Sequence, residues 1–182
     1  MYVLFGSLPR GTALRVGAWL GVVVYLLDRR RRRIAMRNLA IALPEKSDRE
    51  RRAILLRSCR NLGRIGAEFC HLATLTSERV GEYVRIEDPE AWRRVVLGRQ
   101  RGLVVLTGHF GNWELLAHAQ ALFGDPVTLI HRPMRNPLVD AAIIRVRERA
   151  GTRCIKKKAA ARDALRALRH NGLVVIPADQ NQ

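Results

Sequence analysis

With 182 residues, 48% of them apolar, the chain can build one domain with a real core; that share excludes wholesale disorder, and the length excludes two comfortable domains. A net charge of +17, its excess almost all arginine, suits an anionic membrane surface, a phosphorylated substrate or nucleic acid. Aromatic residues are few (three tyrosines, four phenylalanines and three tryptophans), and no stretch interleaves aromatic and basic residues as a single-strand binder would, so no nucleic-acid partner is expected. Cys59, Cys70 and Cys154 form neither a CxxC pair nor a zinc spacing; they read as reduced thiols of a cytosol-facing protein, and no metal or cofactor is expected.

The N-terminus is apolar and then abruptly basic. Val16 to Leu27, VGAWLGVVVYLL, carries no charge, and Arg29 to Arg33 follow at once, then Arg37. As a helix the apolar run spans roughly 18 Å, against a hydrocarbon core of about 30 Å. A secretory signal would place its basic residues first and a small-residue cleavage site after the apolar run, and neither holds. A buried core helix is one alternative. A membrane anchor over residues 1–28, its arginines on the cytoplasmic face against anionic lipid, fits the charge order better. The length suits a tilted or shallow anchor, with spanning and interfacial placement both open. Past Pro44, Ser47 and Glu50 form a capping box that opens a packing helix, with apolar or small residues at positions 55, 59, 62, 66, 69 and 73. Glu68 and His71, three apart on it, read as structural rather than as metal ligands.

From residue 84 onward, strands and helices alternate. Val84–Ile86 is a short strand candidate, and Asp88-Pro89 opens a helix through Val96. Strand Leu103–Thr107 leads to a helix from Asn112 to about Phe123, then strand Val127–Ile130. Asn136-Pro137 caps a helix through Arg149; a short strand Arg153–Ile155, a helix Ala159–His170 and a last strand Leu173–Ile176 follow. Residues 29–182 therefore read as an α/β domain with a largely parallel sheet flanked by helices, preceded by anchoring and packing helices.

Three strand exits carry polar clusters: Gly108-His109, His131-Arg132-Pro133 and Asp179-Gln180-Asn181. Parallel strands put all three on one edge of the sheet, where open α/β sheets bind ligands. A base, a cation and a carboxylate converging there suit acyl or phosphoryl transfer. On one regular helix His109 and Glu114 would point about 140° apart; they meet only if His109 precedes the helix and the turn at Gly111 folds it back. Alternatively, Glu114 pairs with His118 one helical turn on, His109 is a structural histidine, Arg132 a solvated charge and Asp179-Gln180 an ordinary loop.

The hexapeptide His109-Phe110-Gly111-Asn112-Trp113-Glu114 resembles the His-x4-Asp/Glu signature of the glycerolipid acyltransferases, and within them the bacterial lipid A biosynthesis (lauroyl/myristoyl) acyltransferases. His131-Arg132-Pro133 with Asn136-Pro137 resembles that family's second block, and Ala178-Asp179-Gln180 its third; the N-terminal helical region is similar more loosely. The resemblance implies an O-acyltransferase at the cytoplasmic face of the bacterial inner membrane. It would move a fatty acyl group from acyl carrier protein, or coenzyme A, to a hydroxyl of a phosphorylated glycolipid, a lipid A precursor above all. A phosphatidylinositol mannoside acyltransferase is the nearest variant. His109 would be the general base and Glu114 the carboxylate orienting its imidazole. Gly111 and Asn112 would supply backbone donors, with Arg132, Asn136, Asp179 and Gln180 lining the substrate site. Family members continue past the third block, so the resemblance also implies a chain incomplete at its C-terminal end. A remnant that binds membrane without catalysing is the reading of another class.

Overall fold

The structure is a computed structural model and describes residues 2–156 and 160–179. The chain divides into two compact units, one running through His71 and the other from Leu72 on.

The first unit is helical. Helices α1 (Tyr2–Ser7), α2 (Arg10–Leu27), α3 (Arg29–Ala42) and α4 (Asp48–Leu72) follow one another, the last reaching one residue into the second unit. Asp28 separates α2 from α3 and caps the latter, its side chain accepting from Arg31 N–H at 2.9 Å. The capping box forms as expected, with Ser47 N–H donating to Glu50 at 2.8 Å and Glu50 N–H to Ser47 Oγ at 3.3 Å. In the contact of α2 with α4 the small residues of the expected pattern matter more than the large ones: Leu62 is 59% exposed. A Cβ on Gly17 would lie 2.4 Å from the Gly63 carbonyl oxygen, and one on Gly21 would lie 2.1 Å from that of Cys59. Small residues one turn apart on both helices let the backbones touch, the packing mode of helices in lipid. The apolar run expected as an anchor is thus seated on α4 through glycine.

The second unit is α/β. After a 3₁₀ turn at Val80–Glu82 come α5 (Pro89–Trp92), continued by a π turn over Arg93–Leu97, and then β1 (Leu103–Thr107) and α6 (Trp113–Leu122). β2 (Val127–His131), α7 (Pro137–Glu148), β3 (Arg153–Lys156), α8 (Ala160–Arg169) and β4 (Leu173–Pro177) complete it. All three strand pairings are parallel, in the order β1-β4-β2-β3. Val127, Leu129 and Leu173 form the buried core, with Val105 and Val175 packed against them. The expected elements are present with shifted ends, except that Val84–Ile86 joins no ladder: three residues around an arginine offer too little apolar surface to be drawn into the sheet. β1 lies at the sheet edge and alternates, Leu106 being 71% exposed.

Candidate active site

Parallel pairing carries every strand exit to one edge, and strand order decides which exits are neighbours. Thr107 at the end of β1 is in register with Pro177 at the end of β4, and Ala178 N–H extends the pairing to the Thr107 carbonyl at 2.9 Å. Two residues beyond each strand, His109 and Asp179 therefore stand side by side. Asp179 grips His109 twice: Oδ2 accepts from the backbone N–H at 2.7 Å, and Oδ1 lies 2.8 Å from Nδ1. Gly108 makes room for this grip, since a Cβ there would lie only 3.2 Å from the Asp179 carboxylate. Those two bonds, the backbone one foremost, hold the Asp179 carboxyl below its ordinary 3.8, so it is an ionised acceptor at neutral pH. An ionised acceptor fixes the tautomer: Nδ1 carries the proton, and Nε2 keeps its lone pair. Trp113 meets the imidazole edge-on at a centroid distance of 5.0 Å and restrains its plane.

Glu114, the carboxylate expected to orient the imidazole, is engaged elsewhere in this structure. Its carboxylate is bound by Arg147 of α7, Nε donating to Oε2 at 2.9 Å and Nη2 to Oε1 at 2.6 Å. Both side chains are largely buried, at 17% and 14% exposure for Arg147 and Glu114. The physical reason is charge balance. A buried guanidinium cannot be left without a counter-ion, and the imidazole's second nitrogen already has one in Asp179. Burial works to lower the Arg147 pKa, but the Glu114 contact outweighs it, and the pKa stands above its usual value. The alternative partner, His118, is buried, and burial pushes its pKa down, so it stays neutral beside the ion pair.

At the head of α6, Gly111 takes φ +60°, the left-handed conformation that lets the chain turn into the helix. Asn112 caps α6, Oδ1 accepting from Leu115 N–H at 3.1 Å. The backbone N–H groups that open this helix make the edge of the sheet next to His109 a place for developing negative charge. Asn136 plays the same part for α7, its Oδ1 accepting from the N–H groups of Leu138 and Val139 at 3.0 and 3.4 Å. Arg132 is exposed in the loop after β2. With β4 between β1 and β2, it sits about 10 Å along the edge from His109. His131 is not part of that exposed cluster: it ends β2, buried, with Nε2 3.9 Å from Asp140, too far for a hydrogen bond. Gln180 lies outside the described residues.

Behind His109 a cavity of about 190 Å³ runs under α6, its lining apolar apart from a few polar side chains. His109 and Glu114 line its mouth and Gln120 its interior. A base beside the opening of an apolar cavity is an arrangement for chemistry at the head of a long apolar chain. Two participants escaped sequence reasoning. Arg147 is one of two arginines on α7 and nothing in its spacing singled it out, and the pairing of Asp179 with His109 depends on a strand order that alternation alone does not fix.

The family of bacterial lipid A biosynthesis acyltransferases matches the chain over residues 1–182. The lipid A biosynthesis lauroyltransferase of Escherichia coli is 29% identical over 134 residues, covering 74% of this chain and 43% of that relative. The palmitoleoyltransferase of lipid A biosynthesis from the same organism is 26% identical over 147 residues, covering 81% of this chain and 47% of the relative. A lipid A biosynthesis acyltransferase of Haemophilus influenzae is 27% identical over 152 residues, with 84% and 47% covered. The chain thus spans about half the length of the curated relatives it matches. With the family matched from end to end and a histidine held at the mouth of an apolar cavity, the chain belongs to the bacterial lipid A biosynthesis acyltransferase family.

Proposed function

We propose that this chain carries the acyl-transfer site of a membrane-associated lipid A-type acyltransferase. The observation that carries the reading is His109, its Nδ1 held by Asp179, at the mouth of the apolar cavity. Acyl carrier protein, or coenzyme A, presents a thioester there with its hydrocarbon chain in the cavity. The acceptor hydroxyl of a phosphorylated glycolipid gives its proton to Nε2 of His109 as its oxygen attacks the thioester carbonyl. Backbone N–H groups at Gly111 and Asn112 receive the oxyanion. Collapse of the tetrahedral intermediate breaks the carbon–sulfur bond, and the imidazolium returns its proton to the departing thiolate. No enzyme nucleophile is required. Asp179 stabilises the imidazolium and fixes the ring, the part an aspartate plays in a Ser-His-Asp triad. Glu114, tied to Arg147, is a positioning residue that holds the head of α6 against α7. Exposed Arg132 is placed to meet a phosphate with its planar fork.

The first unit supports attachment to a membrane. α2 is long and apolar enough to cross one, and it keeps Trp19 at 70% and Leu27 at 76% exposure. The arginines that open α3 would meet anionic headgroups beside it. The test is transfer of a labelled acyl group from carrier-protein thioester to a phosphorylated glycolipid by the protein in its own membranes. His109→Ala should remove transfer and leave membrane attachment intact; undiminished turnover in that variant refutes the reading.

A further inference from the structure

The cavity at His109 has the sheet as its floor. Thr107 lies at its mouth, Val105 and Val175 share one register position halfway along, and Val127 and Leu173 share the last. Helix α6 roofs it and runs against the strand direction, because it leaves the carboxyl end of β1 and returns the chain to the start of β2. Its cavity-facing residues therefore descend in order, Trp113 at the mouth, Ala117 one turn down and Gln120 at the far end. An amide at the far end of the channel, away from the polar side chains at its mouth, needs a reason.

Gln120 is fixed from both sides. Its Oε1 accepts from Trp92 Nε1 at 3.0 Å, and its Nε2 donates to Asp125 Oδ2 at 3.3 Å. Asp125 is buried and takes a bidentate pair from Arg99, at 2.8 and 2.7 Å. Arg99 also donates to the carbonyl oxygens of Asn171, at 2.9 Å, and Val96. Arg99, Asp125 and Asn171 stand just before β1, β2 and β4, so the network ties together the three loops that open the strands under the channel. An apolar chain terminus reaching Gln120 meets a carboxamide that cannot swing aside without giving up two part-buried hydrogen bonds, a costly exchange.

We propose that Gln120 is the end wall that sets the length of the acyl chain, and that Trp92 and Asp125 make it a hard stop. The inference rests on the reading of the cavity as the acyl site. From the level of Thr107 to that of Leu103 is about 13 Å along the strands. At about 1.2 Å per bond the channel suits a saturated chain of roughly a dozen carbons.

The test has two readouts on the full-length protein in nanodiscs. One is the affinity for saturated fatty acids lengthened by one ethylene unit at a time. The other is the product profile when carrier-protein thioesters of mixed length compete. The wild type should bind more tightly with length and then stop at a cut-off. Gln120→Ala should move that cut-off longer by about two to four carbons, the depth its side chain occupies. Ala117→Leu, which fills the channel one turn nearer the mouth, should move it shorter and serves if the first variant folds poorly. Trp92→Phe, which removes one tether, should blur the cut-off. A cut-off that stays in place in both Gln120→Ala and Ala117→Leu overturns the proposal, as does a wild type that binds no fatty acid. Shifted binding without transfer of any acyl group would retain the end wall and refute the transferase reading instead; transfer with an unmoved product profile would do the reverse.

Discussion

The two compact units solve the packing problem in opposite ways. In the first, α2 and α4 meet through glycine, and what touches is backbone. In the second, the sheet meets its helices through branched side chains, and the channel behind His109 is a gap in that packing. Backbone contact suits helices whose surroundings are apolar, where burying more side chain against a neighbour gains little. Side-chain packing suits a domain in water, where burial of each leucine or valine is worth about 1.5–3 kcal/mol. A cavity left in such a core costs stability unless a ligand fills it. The packing of the helical unit fits the proposal that it attaches to a membrane, and the channel fits the proposal that the α/β unit holds an apolar guest beside a base.

Substitutions that act on one unit and spare the other would sharpen this contrast. The largest expected effect is on chemistry. His109→Ala should lower acyl transfer by on the order of 10²–10⁴-fold with no change in membrane attachment, read by comparing turnover with the membrane-bound fraction. Next comes the ion pair behind the site. Arg147→Met strands the Glu114 carboxylate in a mostly buried position, and the α/β unit should lose about 3–5 kcal/mol in denaturant unfolding. Replacing both members, Arg147→Met with Glu114→Leu, should restore much of that loss while transfer stays impaired; an equally unstable double variant would mean that the pair is held for more than charge balance. In the helical unit, Gly63→Leu would drive a side chain into the backbone of α2, since even a Cβ there would lie 2.0 Å from the Gly17 carbonyl oxygen. Overpacking of this kind costs about 1–3 kcal/mol and should appear as protease sensitivity of the first 71 residues, with fatty-acid binding in the second unit unaltered. The smallest effect concerns pH. Hydrogen bonds from His109 hold the Asp179 carboxyl below 3.8, so any stability the contact gives is present above that value and lost as pH falls through the lowered one. The pair should persist at neutral and mildly acid pH and dissociate only in strong acid, as followed by the Asp179 carboxyl carbon resonance.

Local signals carried much of this into the sequence. The caps at Ser47, Asp88, Asn112 and Asn136 all form, because capping is decided within three residues. The alternation of strands and helices announced a parallel sheet, and a parallel sheet places its exits on one edge. Strand order is a long-range property, and local pattern is silent on it. Asp179 lies 70 residues from His109 in the chain and becomes its neighbour only because β4 inserts between β1 and β2. Nearness in sequence favoured Glu114, whose partner on α7 no local pattern announced. The glycine contacts of α2 with α4 were legible as small residues one turn apart at 17 and 21, but a stripe of large apolar residues is the pattern that helices packed in water teach one to expect.

Which carboxylate holds the His109 imidazole is the most direct test of the mechanism. Nitrogen-15 NMR of the labelled ring reports the tautomer and the Nδ1–H hydrogen bond. Asp179→Asn should disturb both, while Glu114→Gln should leave them in place even though transfer is impaired. If Glu114→Gln shifts the His109 resonances and Asp179→Asn does not, the site is organised around the other acid and the proposed mechanism is contradicted.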